Sequence, residues 1–244
     1  VNYPDAHLPF IRKTGGRPAK PQTGKDVKML PWVGADSDRL REVMADYYNC
    51  MARLDDWVGM LLEALHESGA DENTLVICIG DHGAQFPRGK GSVYEGGLRV
   101  PFIVRWPGVV AAGSTSDAMV STIDVLPTLI EITGADTGLR FDGRSMLPLL
   151  NGQRDAAWRN AWFDTYDMLY LKEDHMRMIR TDDWKLVFHF DAAGKPLPQR
   201  GHELFNLKTD PQELQNLYAS EDLEPLRQKL ETRLRKWMAE VATP

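Results

Sequence analysis

Leu75-Val-Ile-Cys-Ile-Gly-Asp-His-Gly83 is a short continuous apolar run, rich in β-branched residues, that stops at a glycine and delivers a carboxylate and an imidazole. Such a run has the signature of a strand buried on both faces. Open α/β sheets collect their ligands beyond the C-terminal ends of their strands, so Asp81 and His82 stand where chemistry is expected. Both can ligate a metal. Taken alone, the pair better fits a turn that Asp81 caps, with His82 as a polar neighbour.

Upstream, Leu40, Val43, Met44, Tyr47, Met51, Leu54, Val58, Leu61, Leu62 and Leu65 recur at spacings of three and four. This period predicts one long amphipathic helix over 36–69, with Asp36 or Ser37 as N-cap and Gly69 as the stop. Downstream, Phe102-Ile-Val-Arg105 reads as the next strand and 124–133 as a second helix closed by Gly134. Helix, strand, loop, strand and helix make a layered α/β core, for which a mostly parallel sheet is the economical expectation.

Beyond about Arg144 the pattern changes. Ala161-Trp-Phe163, Met176-Arg-Met-Ile-Arg180, Trp184-Lys-Leu-Val-Phe-His-Phe190 and His202-Glu-Leu-Phe-Asn-Leu207 are short strand-like runs separated by turn residues. They predict a small antiparallel sheet. A last helix over 223–241 would cover one face, with Leu226, Leu230, Leu234 and Trp237 turned inward. The expected division is 1–143 for the layered unit and 144–244 for the small α+β unit.

Composition narrows the partners. At 43% hydrophobic and 26% charged over 244 residues, the chain can bury a sizeable core. A formal net charge of -6 speaks against nucleic acid or an acidic membrane surface as partner of the whole molecule, and no apolar run is long enough to span a bilayer. Cys50 and Cys78 fall in a helix and a strand, which points to two free thiols.

Past the quoted strand, Phe86-Pro-Arg-Gly-Lys-Gly-Ser-Val-Tyr-Glu-Gly-Gly-Leu-Arg-Val-Pro101 gathers cations and glycines in one loop. Glycines let backbone approach a ligand closely. Lys90 offers a compact charge suited to a tetrahedral oxyanion, with solvated loop charges as the plain alternative for Lys90 and Arg88. A buried strand, Asp-His-Gly, a basic loop and then Tyr-Glu-Gly-Gly-Leu-Arg-Val-Pro together resemble the type I sulfatases of the alkaline phosphatase superfamily. Ala45-Asp-Tyr-Tyr-Asn49 with Leu54-Asp-Asp56, Ser121-Thr-Ile-Asp-Val-Leu-Pro-Thr128, Met178-Ile-Arg-Thr-Asp-Asp-Trp-Lys-Leu-Val187 and Glu203-Leu-Phe-Asn-Leu-Lys-Thr-Asp-Pro211 extend the resemblance over nearly the whole chain. The spacing from Asp81 to Lys90 is similar to that of the N-sulfoglucosamine sulfohydrolase subgroup.

The resemblance implies part of an alkaline-phosphatase-like layered sheet with flanking helices, followed by a small antiparallel sheet packed with a helix. It implies that Asp81 and His82 ligate a divalent cation and that Lys90 contacts the substrate sulfate. The cation is usually calcium in this family, but an imidazole ligand at His82 leaves manganese, magnesium or zinc open. Asp5-Ala-His-Leu-Pro-Phe10 is similar to the family's His-x-Pro segment, making His7 a candidate sulfate contact or proton donor to the leaving group. His175 is a candidate substrate contact from the small unit, while His66, His189 and His202 read as structural or solvated. Family habit places such enzymes in the periplasm, in lysosomes or outside the cell.

Such enzymes attack sulfur with a formylglycine made from Cys or Ser in a Cys/Ser-x-Pro/Ala-x-Arg motif. Cys50 is followed by Met-Ala-Arg-Leu54, with Leu where Arg is required, and neither Cys78 nor any serine fits. The chain also opens Val-Asn-Tyr-Pro-Asp, as an interior position would. The expectation is therefore the C-terminal portion of a longer sulfatase, whose missing N-terminal half brings the formylglycine and the other metal ligands, and which alone does not turn over substrate. The expected reaction is hydrolysis of a sulfuric ester or sulfamate on a sulfated carbohydrate. The competing readings are a phosphonate monoesterase or phosphodiesterase of the same superfamily and a non-catalytic remnant that binds sulfated glycans.

Overall fold

The computed structural model describes residues 1–153, 157–167, 174–197 and 199–241. Helix α1, Asp38–Glu67, begins where Ser37 Oγ accepts the amide of Leu40 at 3.3 Å, the bond an N-cap supplies to an orphan N–H. Its buried face carries Met44, Ala45, Asn49, Cys50 and Arg53. The Pro- and Gly-rich segment before it wraps this face without long regular elements. Val27 and Val33 join Met44, Ala45 and Phe86 in one apolar cluster, while both polar ends of the Asn49 side chain bond the Gln22 backbone at 2.7 and 2.9 Å. Along the second half of α1 the apolar period is not buried, and Met60, Leu61 and Leu62 are exposed.

Strand β1, Val76–Ile79, pairs with β2, Phe102–Arg105, in a two-stranded sheet. The pair is antiparallel, with Val76 opposite Arg105 and Ile79 opposite Phe102, which corrects the expectation of a parallel arrangement. A parallel pair needs a crossover that carries the chain back to the starting end. The 80–101 connection instead closes on itself, with Gly80 N donating to Pro101 O at 3.2 Å, and its only helical turn is α2, Glu95–Leu98. Nor is β1 buried on both faces as expected. Cys78 and Ile79 are exposed, as is Ile103 opposite Cys78, because β1 has one neighbouring strand and no covering layer among the described residues. Both cysteines are free thiols.

Helix α3, Val125–Thr133, follows a 3-10 turn and ends at Gly134 in the left-handed conformation. Ser121 and Asp124 form a capping box, and the fully buried Asp124 does more than cap. Its carboxylate accepts the Arg144 amide at 2.8 Å and two guanidinium N–H groups of Arg159 at 2.5 and 2.6 Å, tying α3 to the segment that leads through α4, Leu147–Leu150, into the small sheet. That sheet runs β3-β4-β5-β6, all antiparallel: Trp162–Asp167, His175–Arg180, Trp184–Phe190 and Glu203–Asn206.

The two-residue period of β5 gives the sheet two jobs. Leu186, Phe188 and Phe190 pack with Leu230 and Leu234 of helix α5, Glu224–Val241, and with Leu226 and Trp237 beside them. Val187 faces the other way, packing with Met176, Met178 and Phe205 against Val93 and Tyr94 of the 80–101 loop. The small sheet is thus a layer between its own helix and the loop that carries Asp81, His82 and Lys90. Among the described residues no helix is long and apolar enough to cross a membrane.

Burial alone would push the Asp124 carboxyl up, but the Arg159 hydrogen bonds and the Arg144 and Ser121 amides outweigh it and hold it below its ordinary value. Because the folded-state value is the lower one, this stabilisation is present above the ordinary carboxylate range and is lost as pH falls through the folded-state value. Asp124→Asn is expected to cost roughly 3–5 kcal/mol at neutral pH, the usual consequence of removing one partner of a buried ion pair. It should also flatten the loss of stability on acidification, as read from urea unfolding midpoints across the acid range.

Candidate active site

The loop from Gly80 to Pro101 is packed on itself. Gly83 N donates to Gly97 O at 2.8 Å and Lys90 N to Ala84 O at 2.9 Å. A Cβ at Gly83 would lie 1.8 Å from Gly96 O, and one at Gly89 would lie 2.0 Å from Ala84 O. These glycines therefore serve loop-on-loop contact, where the residue pattern had pointed to close approach of a ligand. The fold-back brings the backbone of Lys90 against Ala84. Phe86 anchors the turn in the α1 cluster, stacking on Phe10 with ring centroids 5.7 Å apart and meeting Tyr47 edge-on at 5.6 Å.

Lys90 and His7, 83 positions apart in sequence, come together with Nζ 3.2 Å from Nε2. His7 Nδ1 lies 2.7 Å from Leu8 O. A carbonyl can only accept, so Nδ1 carries the hydrogen and Nε2 presents its lone pair to the Lys90 ammonium. The segment bearing His7 is not frayed. Asp5 is paired with the fully buried Arg53, Nε to Oδ2 2.8 Å and Nη2 to Oδ1 2.9 Å, and Leu8 N donates to Gln85 Oε1 at 3.0 Å.

The same donor logic applies at His82. Its Nδ1 lies 2.9 Å from Gly83 O, which leaves Nε2 without the hydrogen, 3.4 Å from Asp81 Oδ2. Asp81 Oδ1 accepts the His82 amide at 2.9 Å, and the Asp81 side chain is 89% exposed. An imidazole Nε2 with its other nitrogen fixed by a carbonyl, beside an open carboxylate, fits a divalent-cation ligand pair. Among the described residues no group of three or more His, Cys, Asp or Glu side chains could hold a metal, so a site built on this pair would need further ligands from elsewhere.

Several loop charges prove to be struts. The Arg88 guanidinium lies 4.3 Å from the Tyr94 ring centroid and 5.7 Å from that of Phe205, and it donates to Glu213 O. Lys185, fully buried, places Nζ 2.7 Å from Glu95 Oε1, 2.8 Å from Glu213 Oε1 and 3.1 Å from Val93 O. Burial pushes Glu213 up. It pushes Glu95 up as well, but Lys185 and Arg180 more than offset it there and leave Glu95 low. Alongside, Tyr94 donates to Glu203 Oε2 at 2.5 Å, and His189, fully buried, meets Glu203 at 3.0 Å and Asp174 at 2.7 Å. Burial first, then the neighbouring Glu203 charge, raises the Tyr94 hydroxyl. His189 is thus structural, whereas His66 is exposed and pairs with Asp71, and His202 lies tilted against Phe188 with ring centroids 4.4 Å apart.

His175 lies elsewhere. Its β4 neighbours Met176 and Met178 face the loop, whereas His175 pairs with Asp167 at 2.8 Å and lines, with Arg177, Phe190 and Met238, a cavity of about 190 Å³ toward α5. The structure joins His7 to Lys90, on the loop that also carries Asp81 and His82, and places His175 on the α5 side of the small sheet. Arg53 and Gln85, which fix the His7 segment, carry no sequence signal: one reads as a helix surface charge and the other as a loop polar residue.

A family model described as Sulfatase matches residues 13–135, and one described as N-sulphoglucosamine sulphohydrolase, C-terminal, matches residues 80–240. The chain belongs to the sulfatase family. It is a type I sulfatase chain resembling the N-sulfoglucosamine sulfohydrolase subgroup, with part of the alkaline-phosphatase-like α/β fold. An ulvan-active sulfatase of Formosa agariphila is 35% identical over 239 residues, 87% of this chain and 47% of that protein. A structure solved in complex with its substrate D-glucosamine-2-N,6-O-disulfate superposes with a TM-score of 0.72 at 26% identity, over 82% of this chain and 41% of that one. The phosphonate monoester hydrolase of Agrobacterium radiobacter gives 0.70 at 28% identity, covering 84% of this chain and 43% of its own. The sulfatase chain described here spans about half the length of the curated relatives it matches.

The Lys185 strut is testable in the chain itself. Lys185→Met leaves Glu95 and Glu213 facing each other in a buried site and is expected to cost roughly 3–5 kcal/mol in urea unfolding.

Proposed function

We propose that this chain supplies the sulfate-holding side and two metal ligands of a hydrolase for sulfuric esters or sulfamates on sulfated carbohydrates. The observation that carries the reading is the Lys90–His7 contact at 3.2 Å on the same short loop as Asp81 and His82. The sugar disulfate bound by a structural relative and the ulvan activity of a sequence relative support a sulfated glycan as the substrate class.

In this reading Lys90 binds a sulfate oxygen as a point charge. Once the sulfate draws the ammonium, His7 Nε2 is released to hold a proton for the leaving oxygen or nitrogen, its ring orientation kept by the Nδ1–H bond to Leu8 O. Asp81 and His82 would hold the divalent cation, calcium first, with manganese, magnesium or zinc as alternatives; when bound it supplies Lewis-acid stabilisation of the sulfate oxygens. The chain's own sequence has no formylglycine motif, so the nucleophile is assigned to an N-terminal half of the same enzyme, as are the remaining ligands. The exposed Cys78, Ile79 and Ile103 of the two-stranded sheet fit a surface which that half covers. Hydrolysis of phosphonate monoesters is the second reading, favoured by the Agrobacterium radiobacter neighbour.

In the full-length enzyme, Lys90→Ala is expected to lower kcat/KM for a sulfated glucosamine by about 10²-fold or more, the usual scale for losing one oxyanion-stabilising group. An unchanged rate would remove Lys90 from the sulfate site, and faster turnover of phenylphosphonate esters than of sulfate esters would favour the second reading. Asp81→Asn is expected to reduce bound divalent metal measured by elemental analysis. Equal metal content in both proteins would contradict the ligand assignment.

A further inference from the structure

His7 is exposed and belongs to a segment with no regular secondary structure. An exposed Lys–His contact is too weak to order such a segment against its backbone entropy, so the Lys90 contact is a result of the placement of His7 and not its cause. Two bonds flank the residue. Two positions before it, Asp5 is held by Arg53, a fully buried guanidinium of α1 that also lies 3.3 Å from Cys50 Sγ and 3.4 Å from Arg17 O. One position after it, the Leu8 amide is held by Gln85 Oε1 at 3.0 Å.

We infer that Arg53 and Gln85 are positioning residues that clamp the His7 segment from both sides and set the His7–Lys90 pair in register. This inference rests on the reading of that pair as the sulfate site. Gln85 is the more telling of the two because it lies inside the loop, between Asp81-His82 and Lys90. Its side-chain carbonyl holds the His7–Leu8 peptide through the Leu8 amide, and the carbonyl of the same residue, Leu8, receives the Nδ1–H of His7. The loop that presents Lys90 therefore also dictates the tautomer and direction of the imidazole facing it. Arg53 sets the approach of the same segment from the rigid side of α1, as a charge-assisted pair whose cation has no access to water.

Nitrogen-15 NMR of the full chain in mildly alkaline buffer reads the clamp directly, with His7→Ala identifying the signal. Wild-type His7 is expected to hold its hydrogen on Nδ1. Gln85→Leu and Asp5→Asn should shift it to the mixed tautomers of a free imidazole, while Gln85→Glu, which keeps an acceptor oxygen, should retain the wild-type state. In the full-length enzyme Gln85→Leu should lower kcat/KM for 4-nitrophenyl sulfate by roughly 10-fold or more, since small misplacements near the reacting group are costly, and should have no further effect in a His7→Ala background. A His7 tautomer unmoved by both Gln85→Leu and Asp5→Asn, or additive losses in the double variant, would overturn the clamp. If instead the tautomer responds but His7→Ala and Lys90→Ala turn over normally, the clamp stands and the sulfate-site reading falls.

Discussion

The ammonium of Lys185 is sealed from water and meets two carboxylates from different parts of the chain, Glu95 on the 80–101 loop and Glu213 beyond β6. Neither carboxylate tolerates burial alone, and the lysine does not either, so the three groups hold each other in place. Glu213 adds a second tie by accepting the Glu95 amide at 2.7 Å, and Arg88 reaches the Glu213 carbonyl from the loop side. The small sheet is consequently no appendage. It is the support on which the loop bearing Asp81, His82 and Lys90 is mounted, with Val93 and Tyr94 packed into the face of the sheet that α5 does not occupy.

Much of this organisation is legible in the sequence because it is local. The period of α1, the short helix closed by Gly134 and the four strands of the small sheet each announce themselves in a window of a few residues. The direction of β1 against β2 does not. A strand signal carries no information about its partner, and the antiparallel pairing follows from how the glycine-packed loop returns to Pro101. The buried charges hide for a related reason. Arg53, Lys185 and Glu213 look like surface residues in composition, and only their partners, tens of positions away, make their burial tolerable.

The site divides in the same manner. Asp81 and His82 are adjacent in sequence and their role is suggested by the strand before them. His7 and Lys90 are joined in sequence only by resemblance to a family, and the structure supplies the physical contact between them, 3.2 Å from Nζ to Nε2. The plain reading of the loop cations as solvated charges does not describe Arg88. Arg88 is taken up by Tyr94, Phe205 and Glu213, whereas Lys90 faces an imidazole. His175, the candidate contact from the small unit, is turned by the alternation of β4 toward the α5 side.

The absence of side chains at Gly83 and Gly89 has a thermodynamic consequence. Backbone fills the space where those Cβ atoms would stand, so the loop has little room to adopt a second shape. Under the proposed function, a tetrahedral anion arriving at Lys90 would meet a charge already in place, and little of its interaction energy would be diverted into ordering the protein. Selectivity among anions would accordingly come from the fixed spacing of the groups more than from any closing motion, with the loop acting as a gauge of size and charge.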